Sequence, residues 1–204
     1  SGVAKHRGAL KAQGAIIVLS GPSGSGKTTL AEMLVRHAAL RKKLCRSISV
    51  TTRPRRTGER HGRDYFFISE AEFLRRRRAK KILEWTRYLG YYYGTDRAFV
   101  DDSLRVFTGI VLCLDIVGAL RVKRMFPSRA VIIFVLPPSL KELYRRIRSR
   151  ASSTTEDEIS RRLTEARQEI KAARKYDYRV RNKDLKKAIQ RLTWIVRRAL
   201  PDNP

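Results

Sequence analysis

Three glycines, Gly21, Gly24 and Gly26, lie within a six-residue stretch between an unbroken apolar run and a segment of helical periodicity. No other stretch of the chain constrains its fold as strongly. The run Ala15-Ile16-Ile17-Val18-Leu19 reads as a buried strand. The segment from Thr29 to Val35 reads as a helix with Leu30, Leu34 and Val35 on its inner face. Between them, Gly21-Pro22-Ser23-Gly24-Ser25-Gly26-Lys27-Thr28 has the spacing of a phosphate-binding loop. Glycines let the backbone curl until successive N–H groups converge on an anion. Lys27 can then reach the terminal phosphates of a nucleoside triphosphate, and the Thr28 hydroxyl can ligate Mg²⁺.

Strand and helix signals continue to alternate, which predicts an α/β domain with a parallel sheet covered by helices. Ser47-Ile48-Ser49-Val50 is expected to form a short strand. Ile110 to Asp115 reads as a buried strand ending in a carboxylate, and Val131 to Leu136 as another, stopped by Pro137-Pro138. Ser139 suits a helix N-cap, with Leu140, Leu143, Tyr144 and Ile147 on one face. Ile159, Leu163, Ala166, Ile170 and Ala173 recur at helical spacing, and Leu185, Ala188, Ile189, Leu192, Ile195 and Val196 mark a final helix. The stretch from Arg46 to Val100 is richer in turns and aromatics and reads as an inserted mixed subdomain.

The 204 residues are enough for one well-buried core, and no apolar stretch is long enough to span a membrane. Residues 1–14 read as a mobile basic tail. Two cysteines, Cys45 and Cys113, make no disulfide framework, and a reducing cytoplasm is the expected setting. The formal charge is +27, from 46 Lys and Arg against 19 acidic residues. Such a field speeds encounter with nucleotides and attracts polyanions without sequence preference. The one dense run, Arg75-Arg76-Arg77-Arg78, is expected on the solvated face of a helix over Glu70 to Lys81, with Phe73 and Leu74 inward.

The middle segment extends the loop's message. Thr51-Thr52-Arg53-Pro54-Arg55-Arg56-Thr57-Gly58-Glu59 is followed by Gly62-Arg63-Asp64-Tyr65-Phe66-Phe67, then by Ile82-Leu83-Glu84-Trp85, Gly90 and Tyr92-Tyr93-Gly94-Thr95. Farther on stand Leu136-Pro137-Pro138-Ser139, Arg146-Ile147-Arg148-Ser149-Arg150, Arg161-Arg162-Leu163 and Tyr176-Asp177-Tyr178. In this order, from about Ala15 to Ala199, they resemble the guanylate kinases. The resemblance implies a P-loop kinase fold with a core at about 15–45, 101–145 and 159–204. It adds a GMP-binding subdomain at about 46–100 and a lid at about 146–158. It also implies transfer of a phosphoryl group from ATP to GMP or dGMP with Mg²⁺.

Residue by residue, the resemblance gives the loop from Gly21 to Thr29, and Asn182 near the adenine, to ATP. It gives Arg53, Arg56, Tyr65 and Tyr93 to the monophosphate. The chemistry agrees, since an arginine fork donates parallel hydrogen bonds to phosphate oxygens. Glu84 matches the glutamate that accepts the guanine N1–H and N2–H donors, with Ser49 and Thr95 as hydroxyl partners to the base. Its apolar neighbours predict a partly buried carboxylate that needs a partner. Lys27, Arg56, Arg146, Arg150 and Arg162 match the residues that stabilise charge during transfer, and Thr28 and Asp115 match the metal side.

The chain departs from the family pattern where Leu112-Cys113-Leu114-Asp115-Ile116-Val117-Gly118-Ala119 replaces a strand end carrying two aspartates and a glutamine. Cys113 takes the place of the aspartate at the GMP site, and Val117 that of the glutamine. Arg150-Ala151-Ser152 also alters the lid, and Lys183 stands where an acid is usual. Other readings are a kinase of a related phosphorylated substrate, a non-catalytic domain that binds phosphorylated protein segments, or a nucleic-acid-binding protein. Retention of Ser49, Glu84 and Thr95 opposes the first, the intact loop opposes the second, and only charge favours the third.

Overall fold

The structure, a computed structural model, describes residues 14–149 and 156–201. The expected basic tail, apart from Gly14, and the middle of the expected lid with Arg150 lie outside the described residues. In chain order the elements are β1 (Ala15–Ser20), α1 (Lys27–Arg36), β2 (Leu44–Arg46), β3 (Val50–Thr51), β4 (Phe66–Phe67) and α2 (Glu70–Arg78). Next come β5 (Ile82–Tyr88), β6 (Tyr91–Asp96), α3 (Arg97–Val106), β7 (Gly109–Cys113), α4 (Ile116–Met125), β8 (Ala130–Leu136) and α5 (Leu140–Ser149). The chain continues with α6 (Glu156–Ala172), a 3₁₀ turn at Ala173–Lys175, β9 (Tyr178–Arg181) and α7 (Leu185–Ala199).

The main sheet runs β2-β7-β1-β8-β9 with every pairing parallel. Helices cover both faces, so β1 is buried throughout and apolar from Ala15 to Leu19 rather than alternating. Ala15, Ile17 and Leu19 pack toward α1 and α7, whereas Ile16 and Val18 pack toward α3, α4 and Tyr176. β1 lies where the strand order reverses, and in such sheets ligands bind beyond the carboxyl ends of the strands at that point. The glycine loop follows β1 there.

The second sheet, β4-β3-β6-β5, mixes parallel and antiparallel pairs. Val50, Phe73 and Ile82 form its buried cluster, and Phe73 stacks on Tyr92 at 5.1 Å. A register shift between Ile82 and Glu84 lets three successive residues be buried in different directions. Ile82 joins this cluster, Leu83 joins the main core, and Glu84 turns to the cleft.

Several sequence expectations need correction. Ser47-Ile48-Ser49-Val50 is not one strand. β2 stops at Arg46 and β3 starts at Val50, because the chain here leaves one sheet for the other. The Ser47 N–H still donates to Val111, while the Ser49 carbonyl already accepts from Phe66. The strand expected over Ile110–Asp115 ends at Cys113, and Asp115 instead caps α4 by accepting from the Gly118 N–H at 2.7 Å. α2 ends at Arg78 rather than Lys81, and Leu74 is only half-buried. Lys80, at φ 56°, closes the helix: the Lys81 N–H donates to Arg76 and the Lys80 N–H to Arg77. In α1, Ala31 is buried beside Leu30 and Leu34, while Val35 only borders the cluster.

The arginine run on α2 is only partly solvated. Arg75 and Arg78 are exposed, but Arg76 pairs with Glu72 and Asp96, and Arg77 lies over Trp85 at 4.7 Å. The Ser139 cap stands as read, accepting from the Glu142 N–H. The apolar stripe of α6 divides: Ile159, Leu163 and Ala166 pack with Leu143 and Ile147 of α5, and Ile170 continues into the main core.

Candidate active site

The loop between β1 and α1 is held open for an anion. Gly26 caps α1 in the left-handed region at φ 95°, with no side chain bonded to the helix N-terminus. A Cβ at Gly26 would come within 2.3 Å of the Asn182 amide nitrogen, so close packing and backbone angle both require glycine. Asn182 is buried and donates to the Ser25 carbonyl at 2.9 Å, propping the loop from beneath. Lys27 Nζ donates to the carbonyls of Gly21 and Pro22. The Ser25 hydroxyl is buried without a hydrogen-bond partner among the described residues. An uncapped helix start, a glycine cradle and an orphaned hydroxyl fit a bound polyphosphate.

The loop opens into a cleft of about 1210 Å³ that also reaches the second sheet. Of the expected site residues, Gly21, Ser23, Gly24, Gly26, Lys27, Thr28 and Thr29 line it, as do Ser49, Arg53, Arg56, Tyr65, Glu84, Tyr93, Asp115 and Arg162. Pro22, Ser25, Thr95, Arg146 and Asn182 do not line it directly. Arg146 packs over Gly24 while its Nε donates to Glu142 at 2.7 Å. Val117 is exposed on the first turn of α4 and does not line the cleft.

At the far end of the cleft, Arg53 is buried and fixed. Its Nη2 donates twice to Glu59, at 2.8 and 3.0 Å, and Nη1 donates to the Pro54 carbonyl. Glu59 also accepts from the Arg56 N–H, which ties the two arginine positions together. Tyr65 and Tyr93 meet edge to face at 6.1 Å, and the Arg53 guanidinium lies over the Tyr65 ring. A cation surrounded by phenols and anchored from behind is preorganised for a dianion.

Glu84 is 3% exposed and accepts a 2.7 Å hydrogen bond from the Thr95 hydroxyl. Burial pushes its carboxyl up to about 7, with the nearby Asp115 charge adding to the effect. α4 reaches it through Gly118, where a Cβ would stand 2.6 Å from Glu84 Oε2. Arg121, one turn on, donates to the Trp85 carbonyl.

Cys113 lines the cleft near Lys27 and Arg46. Burial pushes its thiol up to about 11, so it stays protonated despite those cations. Sequence reasoning passed over Arg46, Glu59, Arg121, Arg161 and Glu169 as site residues. Glu59 and Arg161 carried a usable signal, the Gly-Glu pair that ends one motif and the Arg161-Arg162 pair that opens another. The others come into position only through contacts between distant segments.

A parallel sheet with a glycine loop at its switch point, opening into a cleft shared with a second sheet, defines a P-loop kinase fold. The family profile of guanylate kinase matches residues 13–199. A guanylate kinase of Caldanaerobacter subterraneus subsp. tengcongensis is 43% identical over 187 residues, covering 92% of this chain and 88% of that protein. A guanylate kinase of Gloeobacter violaceus is 44% identical over 190 residues, covering 93% and 90%. The crystal structure of guanylate kinase from Anaplasma phagocytophilum superposes with a TM-score of 0.76 at 32% identity, covering 95% of this chain and 89% of that one. The chain belongs to the guanylate kinase family.

Proposed function

We propose that the chain transfers the γ-phosphoryl group of ATP to GMP or dGMP, giving ADP and GDP or dGDP. One observation carries this reading: a single cleft joins the glycine loop to a buried Glu84–Thr95 pair and an anchored Arg53. Phosphoryl transfer needs positioning and charge stabilisation more than covalent chemistry. The residues from Gly21 to Thr29 hold the triphosphate, with Lys27 moving from its loop carbonyls onto the terminal phosphates. Thr28 and Asp115, which both line the cleft, would hold Mg²⁺, which when bound would neutralise charge developing on the phosphates.

Arg53, Arg56, Tyr65 and Tyr93 hold the GMP phosphate in line for attack. Glu84, ionised in the complex, accepts the two guanine donors, while Ser49 and Thr95 complete the base site. Arg146 and Arg162 approach the transferring group from α5 and α6; Arg150 is assigned beside them on resemblance alone. Asn182 acts through the loop it supports, in addition to any contact with adenine. The insert of residues 46–100 closes toward the glycine loop when both nucleotides are bound, which excludes water.

A coupled assay for ADP release, run with Mg²⁺ across AMP, GMP, dGMP, CMP and UMP, tests the reading. GMP and dGMP are expected to support turnover far above the others. ATP binding without turnover on any monophosphate would favour the non-catalytic reading. Preference for another nucleotide would favour a kinase of a related substrate.

A further inference from the structure

The helix α7 has a solvent face that the nucleotide cleft does not explain. None of its residues lines that cleft. Lys187, Arg191, Trp194 and Arg198 are all exposed. At about 100° per residue they fall within a sector of about 60°, opposite the buried face of Ala188, Ile189, Leu192, Thr193, Ile195 and Val196. Trp194 is 45% exposed, and the guanidinium carbons of Arg191 and Arg198 lie 4.4 and 5.0 Å from its ring centroid. Lys187, Arg191 and Arg198 have no carboxylate partner among the described residues.

From Leu185 to Ala199 there are five Lys and Arg residues and no acid. α1 packs on the same core cluster, and the segment that ends it, Arg36 to Lys43, adds Arg36, Arg41, Lys42 and Lys43, again with no acid. We propose that this face binds the backbone of a single-stranded nucleic acid, with Arg191 or Arg198 leaving the Trp194 ring for a phosphate and one base stacking on the ring face it uncovers. The stripe from Lys187 to Arg198 spans about 16 Å along the helix, the length of a few nucleotides. Cations that track phosphates, interleaved with an exposed aromatic ring, are the elements such binding needs. An anionic membrane fits less well. The other large exposed apolar residue of α7, Leu185, lies about 180° around the helix from Trp194, so there is no apolar face to insert.

The test uses the full chain with ADP saturating the cleft, and a fluorescein-labelled 20-nucleotide oligo(U) titrated by anisotropy at several salt concentrations. Binding is expected to weaken with salt. Trp194→Ala should weaken it about tenfold, and Trp194→Phe should recover most of the loss. Replacing both Arg191 and Arg198 by Ala should reduce the slope of log K against log salt by about 1.4. Kinase turnover and thermal unfolding should match the parent in all variants, which separates lost binding from misfolding. An unchanged oligonucleotide affinity in Trp194→Ala would overturn the proposal. So would heparin binding as tightly as the oligonucleotide, which would indicate a diffuse charge field, or stronger binding to phosphatidylserine vesicles, which would indicate a membrane surface.

Discussion

The Thr95 hydroxyl donates a 2.7 Å hydrogen bond to Oε1 of Glu84, across the β5–β6 hairpin. This bond favours the ionised carboxylate, but burial outweighs it and lifts Glu84 from the usual 4.5 to about 7. The consequence for stability has a definite sign. As pH rises from about 4.5 to 7, the unfolded chain ionises first, so the folded state loses stability across that window. The loss is about 3 kcal/mol at most. Urea unfolding at pH 5 and pH 8 should show this fall in the parent, and the fall should be smaller by about that amount in Glu84→Gln.

The same carboxylate is expected to make GMP use depend on pH. Two guanine donors require an ionised acceptor, so kcat/KM for GMP should climb toward pH 7 and then level off, while ATP affinity stays flat. Glu84→Gln should remove the climb and lower kcat/KM for GMP by between about 10² and 10⁴. Steady-state kinetics across pH 5.5 to 8.5 measures both; an unchanged profile in the variant would remove Glu84 from the base site.

Gly118 is tested by a single methyl group. In Gly118→Ala the new Cβ would press on Glu84 Oε2, and the carboxylate must move by a few tenths of an ångström or more. Misplacing a binding group by about 1 Å can cost about 10²-fold in rate. We expect KM for GMP to rise by about tenfold or more with KM for ATP unchanged. Equal effects on both substrates would point to general disruption of α4 instead.

Lys27→Ala should lower turnover by about 10²- to 10³-fold or more. The loop should survive, because the Asn182–Ser25 bond and the Ser25 N–H to Pro22 bond remain. Loss of the Lys27 bonds to the loop carbonyls should cost about 1.5 to 3 kcal/mol. Turnover near the parent value, in a variant that unfolds normally, would sink the phosphate-loop assignment.

Cys113→Asp places a carboxylate near Lys27 and Arg46, close to Tyr65. Those cations can compensate its burial, so unfolding should change by about 1 kcal/mol or less. A fixed acceptor should orient the surrounding donors and increase the preference for GMP over AMP, while ATP affinity stays nearly constant. Kinetics on both monophosphates, with an unfolding curve for each protein, decides the point. A destabilised variant with no gain in preference would mean that the pocket has repacked around the thiol.

What the chain determined locally could be read directly. The phosphate loop needs contiguous residues, since its glycines and its lysine act within one turn of backbone, and eight letters therefore suffice to recognise it. The apolar runs of β1, β7 and β8 likewise declare strands buried on both faces. That Arg53, Glu84 and Tyr93 share one cleft was legible because all three stand in ordered motifs. Ser47 to Ser49 misled because alternation of serine with aliphatic residues looks like a strand, whereas the neighbouring sheets decide where the chain must cross. The raised carboxyl of Glu84, the room that Gly118 leaves beside it, the support of the loop by Asn182 and the paired hydrogen bonds from Arg53 to Glu59 were decided only by tertiary structure. Each depends on desolvation or close contact, much of it between segments far apart along the chain, and neither quantity exists until the sheets and helices have packed.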